Sequence, residues 1–267
     1  MFTFRRMTVL FFALLLAFNL ASIFFCGTAG NFFCVHAAWF YIFLFVLYFG
    51  ISVAMAFLPC SGYHHPAICS GKTIEKKVAL TFDDGPDPAA TPVILETLGI
   101  HHTPAAFFLI GKNTIGNEAL LQRINAEGHL IGIHSWGHSK WFDFFPPRMI
   151  RQDLMHCSDA IRNATGRKPV LFRPPFGVVN PMVAGAVRKG HWSVVAWNIR
   201  SLDTMGGDPE KICGKILRRL RPGAIILLHD HSAFTATHLP VLLKRIAERG
   251  FAVVPLDELI KRDAYEE

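Results

Sequence analysis

The chain has 267 residues, is 51% hydrophobic, and carries 27 basic against 20 acidic residues, with a net charge of +7. That length admits one large domain or two small ones, and the apolar share is too high for an ordinary soluble protein. No basic run and no base-stacking motif is present, which argues against nucleic acid as a partner.

The apolar excess lies at the N-terminus. Met7–Cys26 has only Thr8, Asn19 and Ser22 as polar members, and Ala37–Leu58 carries no charge. At about 1.5 Å of rise per residue each is roughly 30 Å long as a helix, enough to cross a bilayer core. Arg5 and Arg6 precede the first span, Lys72, Lys76 and Lys77 follow the second, and the intervening Gly27–His36 is uncharged. Positive outer flanks predict an integral protein of a bacterial inner membrane with both ends, and so everything after Leu58, on the cytoplasmic side. Placement on the extracytoplasmic side is the alternative. A cleaved signal peptide competes for the first span, but Gly27–Asn31 is a poor cleavage site and a second span follows at once. All 20 acidic residues follow residue 58, with all but two of the basic ones. That mild basic excess suits anionic headgroups or a phosphorylated lipid.

The six cysteines show no framework spacing and read as unpaired thiols. Cys60–Cys69 is the one plausible bridge, on condition that the segment faces an oxidising compartment. His64, His65 and Cys69 read as interfacial linker rather than a second metal site. Residues 1–60 are thus an anchor, 61–75 a linker and 76–267 a catalytic domain.

From Lys76 onward short apolar runs alternate with amphipathic stretches. Strands are predicted at Val78–Phe82, Ala105–Ile110, Leu130–Ile133, Val170–Phe172, Ser193–Trp197, Ala224–Leu228 and Ala252–Pro255. Helix starts are marked at Thr91-Pro92, Asn117, Asp208-Pro209-Glu210 and near His238. This alternation predicts an α/β fold, an irregular seven-stranded (β/α) barrel preceded by two transmembrane helices. In such a barrel reactive groups collect at the carboxyl ends of the strands.

Five of those ends are rich in reactive residues. "TFDDG" contains Asp83 and Asp84, "HSWGH" runs from His134 to His138, "RPPFG" opens on Arg173, "NIRSLD" ends on Asp203, and "LLHD" holds His229. Adjacent acids can serve one site only where the strand stops, since successive side chains otherwise face apart. Gly85-Pro86 supplies such a stop. His134 and His138, placed on a helical turn, would share one face. Two imidazoles and one carboxylate leave a coordination position open, as in catalytic metal sites. Zinc is the default, with cobalt, nickel or iron as alternatives. The second acid would take a proton from water, Arg173 would orient it, and His229 would protonate a leaving nitrogen.

In this order and spacing the motifs resemble those of polysaccharide deacetylases, the NodB-homology group of carbohydrate esterases, over roughly Lys76 to Leu259. The resemblance implies an irregular (β/α) barrel and metal-dependent removal of an N-acetyl group from a hexosamine, in a glycan or a lipid-linked sugar. It makes Asp83 the base and Asp84, His134 and His138 the metal ligands. Arg173 then holds Asp83, and His229 is the acid, polarised by Asp203. Leu227 would line the space for the acetyl methyl, and the Phe176 backbone N–H would help hold the oxyanion. The fourth motif departs from the family, with Arg200 where an acid is usual and Thr204 where a tryptophan is. Arg200 is therefore read as a contact for a phosphate or carboxylate on the substrate. His101, His102, His156 and His191 read as spectators. Trp141, Phe142, Phe144 and Phe145 read as core packing, a lid or a membrane contact. A deformylase of a lipid-linked amino sugar, a non-sugar amidase and a catalytically silent glycan-binding protein are the alternative functions.

Overall fold

A computed structural model describes residues 3–25, 32–206 and 208–266. Cys26 and residues 27–31 of the expected hairpin lie outside them. Two apolar helices, α1 (Phe4–Phe25) and α2 (Phe32–Ala56), come first, each long and apolar enough to cross a membrane. Only 6% of either apolar window is buried inside the molecule, so apart from the seam where α1 and α2 pack on each other, as at Phe18 and Phe40, their surfaces are largely exposed.

The rest is a parallel sheet wrapped by helices. All seven expected strands form: β2 (Lys77–Asp83), β3 (Ala106–Leu109), β4 (Leu130–Ile133), β5 (Leu171–Phe172), β6 (Ser193–Val195), β8 (Ala224–His229) and β9 (Ala252–Val253). Two more, β1 (Ala67–Ile68) and β7 (Ile199–Arg200), raise the total to nine among the described residues. The order is β1-β6-β5-β4-β3-β2-β8-β7, with β9 against β2, and every pairing is parallel. The expected linker is therefore part of the sheet: β1 lies inside it, and Ser70 bridges to Ala224.

Alternation along the strands sorts two cores. Val78, Leu80 and Phe82 of β2 pack outward under the helices, whereas Ala79 joins Phe108, Leu171, Val195 and Ile225 on the inner face. The covering helices are α3 (Ala90–Ile100), α4 (Glu118–Ala126), α5 (Pro147–Thr165), α6 (Pro181–Gly190), α7 (Pro209–Arg219), α8 (Ala233–Glu248) and α9 (Leu256–Ile260). Helix α7 starts where expected, with the Asp208 side chain accepting from the Glu210 N–H. Helix α8 starts earlier than expected, capped by Ser232 rather than beginning near His238.

The one bridge that the sequence left open is formed, so Cys60 and Cys69 are not unpaired thiols. Cys60 and Cys69 are joined in a disulfide with Cα atoms 5.8 Å apart, while Cys157 and Cys213 are buried free thiols. Proximity decides this, because β1 returns the chain beside its own entry point.

Candidate active site

Strand β2 ends on Asp83, and Asp84 turns out of the strand at a φ of +77°. That turn lets neighbouring carboxylates meet one site instead of opposite faces. The two acids then acquire different partners.

Asp83 belongs to Arg173. The guanidinium is fully buried and donates from Nη1 to Asp83 Oδ1 at 2.7 Å and to Thr81 Oγ1 at 2.8 Å. Its Nε and Nη2 donate to the carbonyls of Val195 and Ala196, each at 3.2 Å, and its plane lies 4.2 Å from the Phe108 ring centroid. A buried cation is tolerated only when paired and hydrogen-bonded in this way. Thr81, which the sequence reading passed over as part of an apolar strand, shares the inner face with Asp83.

Asp84 belongs to the histidines. Its Oδ1 lies 3.4 Å from both His134 Nε2 and His138 Nε2, and one ligand atom from each residue falls within 4.8 Å of the others. Those distances are long for hydrogen bonds, and Asp84 Oδ1 is buried without a hydrogen-bond partner. His134 Nδ1 lies 2.8 Å from the Arg173 carbonyl oxygen. Nδ1 therefore carries a hydrogen, which aims Nε2 at Asp84. An orphaned carboxylate oxygen facing two imidazole nitrogens fits a divalent cation. Burial opposes ionisation of Asp84, but His134 and His138 outweigh it and hold the carboxyl well below the usual carboxylate range. The two histidines are not on a helical turn as expected: they converge through a loop in which Ser135 and His138 have φ of +66° and +47°.

His229 closes the opposite side. It pairs in register with Asp83 across β2 and β8, so both face inward. Its Nδ1 lies 2.7 Å from Asp203 Oδ1 and its backbone N–H donates to Asp203 Oδ2 at 2.8 Å. Burial lowers the His229 pKa, yet the Asp203 carboxylate more than reverses this and the net shift is upward. Asp203 is itself buried and accepts from Ser201 Oγ and Thr235 Oγ1. Leu227 lies two residues before His229 on the same inner face, buried and in register with Thr81. Arg200 pairs with Leu227, is exposed, and has its guanidinium 6.0 Å from the Trp197 ring centroid. Phe176 stands at φ +59°, is 54% exposed and has its ring 4.8 Å from His138.

Two neighbours had no assigned role. His231 Nδ1 lies 3.7 Å from Asp84 Oδ2, and the run His-Asp-His was its signal. Asp230 is fully buried, accepts from Thr91 Oγ1, and burial pushes its carboxyl up to about 7. A Cβ on Gly85 would sit 1.9 Å from Asp230 Oδ2, so only glycine fits beside it.

Residues 70–193 match the family described as polysaccharide deacetylase. A chitooligosaccharide deacetylase of Bradyrhizobium sp. (strain ANU 289) is 33% identical over 199 residues, 69% of this chain and 90% of that protein. The peptidoglycan-N-acetylglucosamine deacetylase PgdA of Listeria monocytogenes is 34% identical over 78% of this chain, which spans only 43% of its length. The crystal structure of the Bc1960 peptidoglycan N-acetylglucosamine deacetylase superposes with a TM-score of 0.70 at 27% identity, covering 75% of this chain and 95% of that one. A family pseudoenzyme from Bacillus anthracis, BA3943, also superposes, at 0.68 and 26%, over 74% of this chain and 71% of that one. The parallel (β/α) fold, the strand-end residues and these similarities together place the chain in the polysaccharide deacetylase family.

Proposed function

We propose that the chain is a membrane-anchored, metal-dependent hydrolase that removes the N-acetyl group from an N-acetylhexosamine in a glycan or lipid-linked sugar. The observation that carries this is the division of two adjacent acids between Arg173 and a histidine pair, opposite a carboxylate-backed histidine. Asp84, His134 and His138 would hold the cation, with zinc as first choice and cobalt, nickel or iron(II) as alternatives. When bound it supplies Lewis acidity towards the amide carbonyl and towards water.

The chain's own groups do the rest. Asp83, fixed by Arg173, accepts the proton of the attacking water. The backbone N–H of Phe176 is offered to the developing oxyanion, and Leu227 bounds the space for the acetyl methyl. His229 has Nδ1 engaged by Asp203, so Nε2 delivers the proton to the departing amine. Arg200, exposed at the rim, is a contact for an anionic group on the substrate.

Two observations support placement on the oxidising, extracytoplasmic side. Cys60 and Cys69 are paired, and disulfides persist in such compartments. Relatives named for peptidoglycan act on a substrate of that kind. Both outweigh the positive flanks, which favour the cytoplasm. The test is acetate release from N-acetylchitooligosaccharides and from peptidoglycan by the full chain in detergent, with and without added zinc. Release that needs metal is expected, and no release on any N-acetylated sugar would overturn the reading.

A further inference from the structure

We propose that the rim of the active site is itself a membrane-docking surface, which holds the site against the bilayer so that it takes a sugar carried on a lipid. This rests on the membrane-anchored deacetylase reading above.

Helix α2 ends at Ala56, whose carbonyl accepts from the Val179 N–H at 2.9 Å. Val179 lies three residues beyond Phe176, the ring that stands over His138. The start of α1 is fastened at the same place: the Phe4 N–H donates to the Tyr63 carbonyl at 2.9 Å, and the Tyr63 hydroxyl donates to Met7 Sδ at 3.3 Å. Cys60 Sγ lies 3.7 Å from the carbonyl oxygen of Trp197, just past the end of β6. Both apolar helices therefore meet the barrel at the carboxyl ends of its strands, the face that carries the site.

Exposed apolar side chains continue from the helix end around that face. Phe57 and Leu58 are 65% and 55% exposed, Phe176 is 54%, and Trp141 and Phe144 are 58% and 75%. The last two lie just after His138 and touch each other, with ring centroids 6.1 Å apart. Their loop is tied back to the anchor side, because Asn180 Nδ2, next to Val179, donates to the Asp143 carbonyl.

The neighbouring aromatics mark the difference from core and from lid. Phe142 is fully buried and Phe145 packs against the core, so the aromatic run is split into two inward and two outward rings. A lid would cover its rings on the site, but Trp141 and Phe144 remain more than half exposed. Lys140 has its ammonium 5.8 Å from the Trp141 ring centroid, and burial pushes the Asp143 carboxyl up to about 7, which weakens the only acid of this loop. Aromatic rings beside a lysine, with little negative charge, are the composition that settles at a headgroup boundary. The surface adjoins helices whose outer faces are largely exposed, and a lipid bilayer is the occupant that covers both.

The experiment uses the full chain in nanodiscs of phosphatidylethanolamine and phosphatidylglycerol, with and without lipids brominated near the headgroup. The difference between wild type and Trp141→Phe isolates the Trp141 emission from that of the other four tryptophans. Quenching of the Trp141 share is expected, with Trp39 in α2 as the quenched reference and buried Trp192 as the unquenched one. A Trp141 share as insensitive as that of Trp192 overturns the proposal. In kinetics, Trp141→Ser with Phe144→Ser should raise KM for a lipid-anchored N-acetylglucosamine about tenfold and leave a soluble chitooligosaccharide unaffected. Equal losses on both substrates would count against docking. A chain inactive on every sugar would sink the deacetylase reading alone, because the quenching measurement needs no turnover.

Discussion

Replacing Asp83 by asparagine separates three quantities that the site keeps together. The change preserves shape and leaves an oxygen for Arg173 Nη1, but removes the negative charge and the capacity to take a proton. Loss of a positioned general base costs about 10²–10⁴ in rate, so turnover should fall by that factor. Metal affinity should hold, because Asp84, His134 and His138 are unchanged and Asp83 Oδ2 stands 3.9 Å from His134 Nε2. Stability should drop, since Arg173 is fully buried and Asp83 is the only carboxylate paired with it among the described residues. Removing one partner of a buried pair costs about 3–5 kcal/mol. The bonds that remain to Thr81, Val195 and Ala196 place the loss near the lower bound. For a domain of this size, 3 kcal/mol corresponds to a fall in Tm of roughly 6–12 °C. Acetate release at 25 °C, calorimetric zinc titration and a thermal melt give the three numbers. Turnover within tenfold of wild type would refute Asp83 as the base, and a lost zinc isotherm would refute the division of labour between the acids.

Asp203→Asn should move the basic limb of kcat/KM to lower pH. The His229 pKa lies above its ordinary 6.5, so the protonated acid is present below that raised value and is lost as pH rises through it; removing the carboxylate lowers the pKa. A limb that stays in place would exclude Asp203 as its cause. Gly85→Ala should destabilise the fold by about 1–3 kcal/mol through overpacking against Asp230, and Asp230→Ala in the same chain should restore part of that loss in a double-mutant melt. Alkylation of the denatured chain, taken directly from cells, should leave Cys60 and Cys69 blocked until reduction while Cys157 and Cys213 react at once. Free thiols at Cys60 and Cys69 before reduction would favour the cytoplasmic side for the catalytic domain.

Much of the architecture was legible because it is periodic or chemically dense. All seven apolar runs became strands, and Leu130–Ile133 matched residue for residue. Strands β1 and β7, unlike the equally short β5 and β9, do not sit in a run of large apolar residues, and their pairing is decided by neighbours far away in sequence. Helix α6 did have a start signal, Asn180-Pro181, with Asn180 accepting from the N–H groups of Met182 and Val183, and it went unread. The reactive residues were legible by type and order, but not by the geometry that joins them. The spacing of His134 and His138 suggested a helix, whereas two left-handed residues in a loop bring the rings together. Thr81, Ser201 and Thr235 hold Arg173 and Asp203 through contacts that no local pattern announces.

The junction after α2 also sets how far the catalytic centre can travel. Fifteen residues, the length expected for the linker, could extend roughly 50 Å if they were free. Here that segment is instead spent on β1, the bridge from Ser70 to Ala224, the Cys60–Cys69 disulfide and the hydrogen bond between the Gly71 N–H and the Gly223 carbonyl. Little slack is left to pay out. On the membrane-anchored reading proposed above, an enzyme joined in this way would work at one height above its anchor, so its substrates would have to be delivered to that plane, and sugars deeper in a surrounding polymer would lie beyond its radius of action.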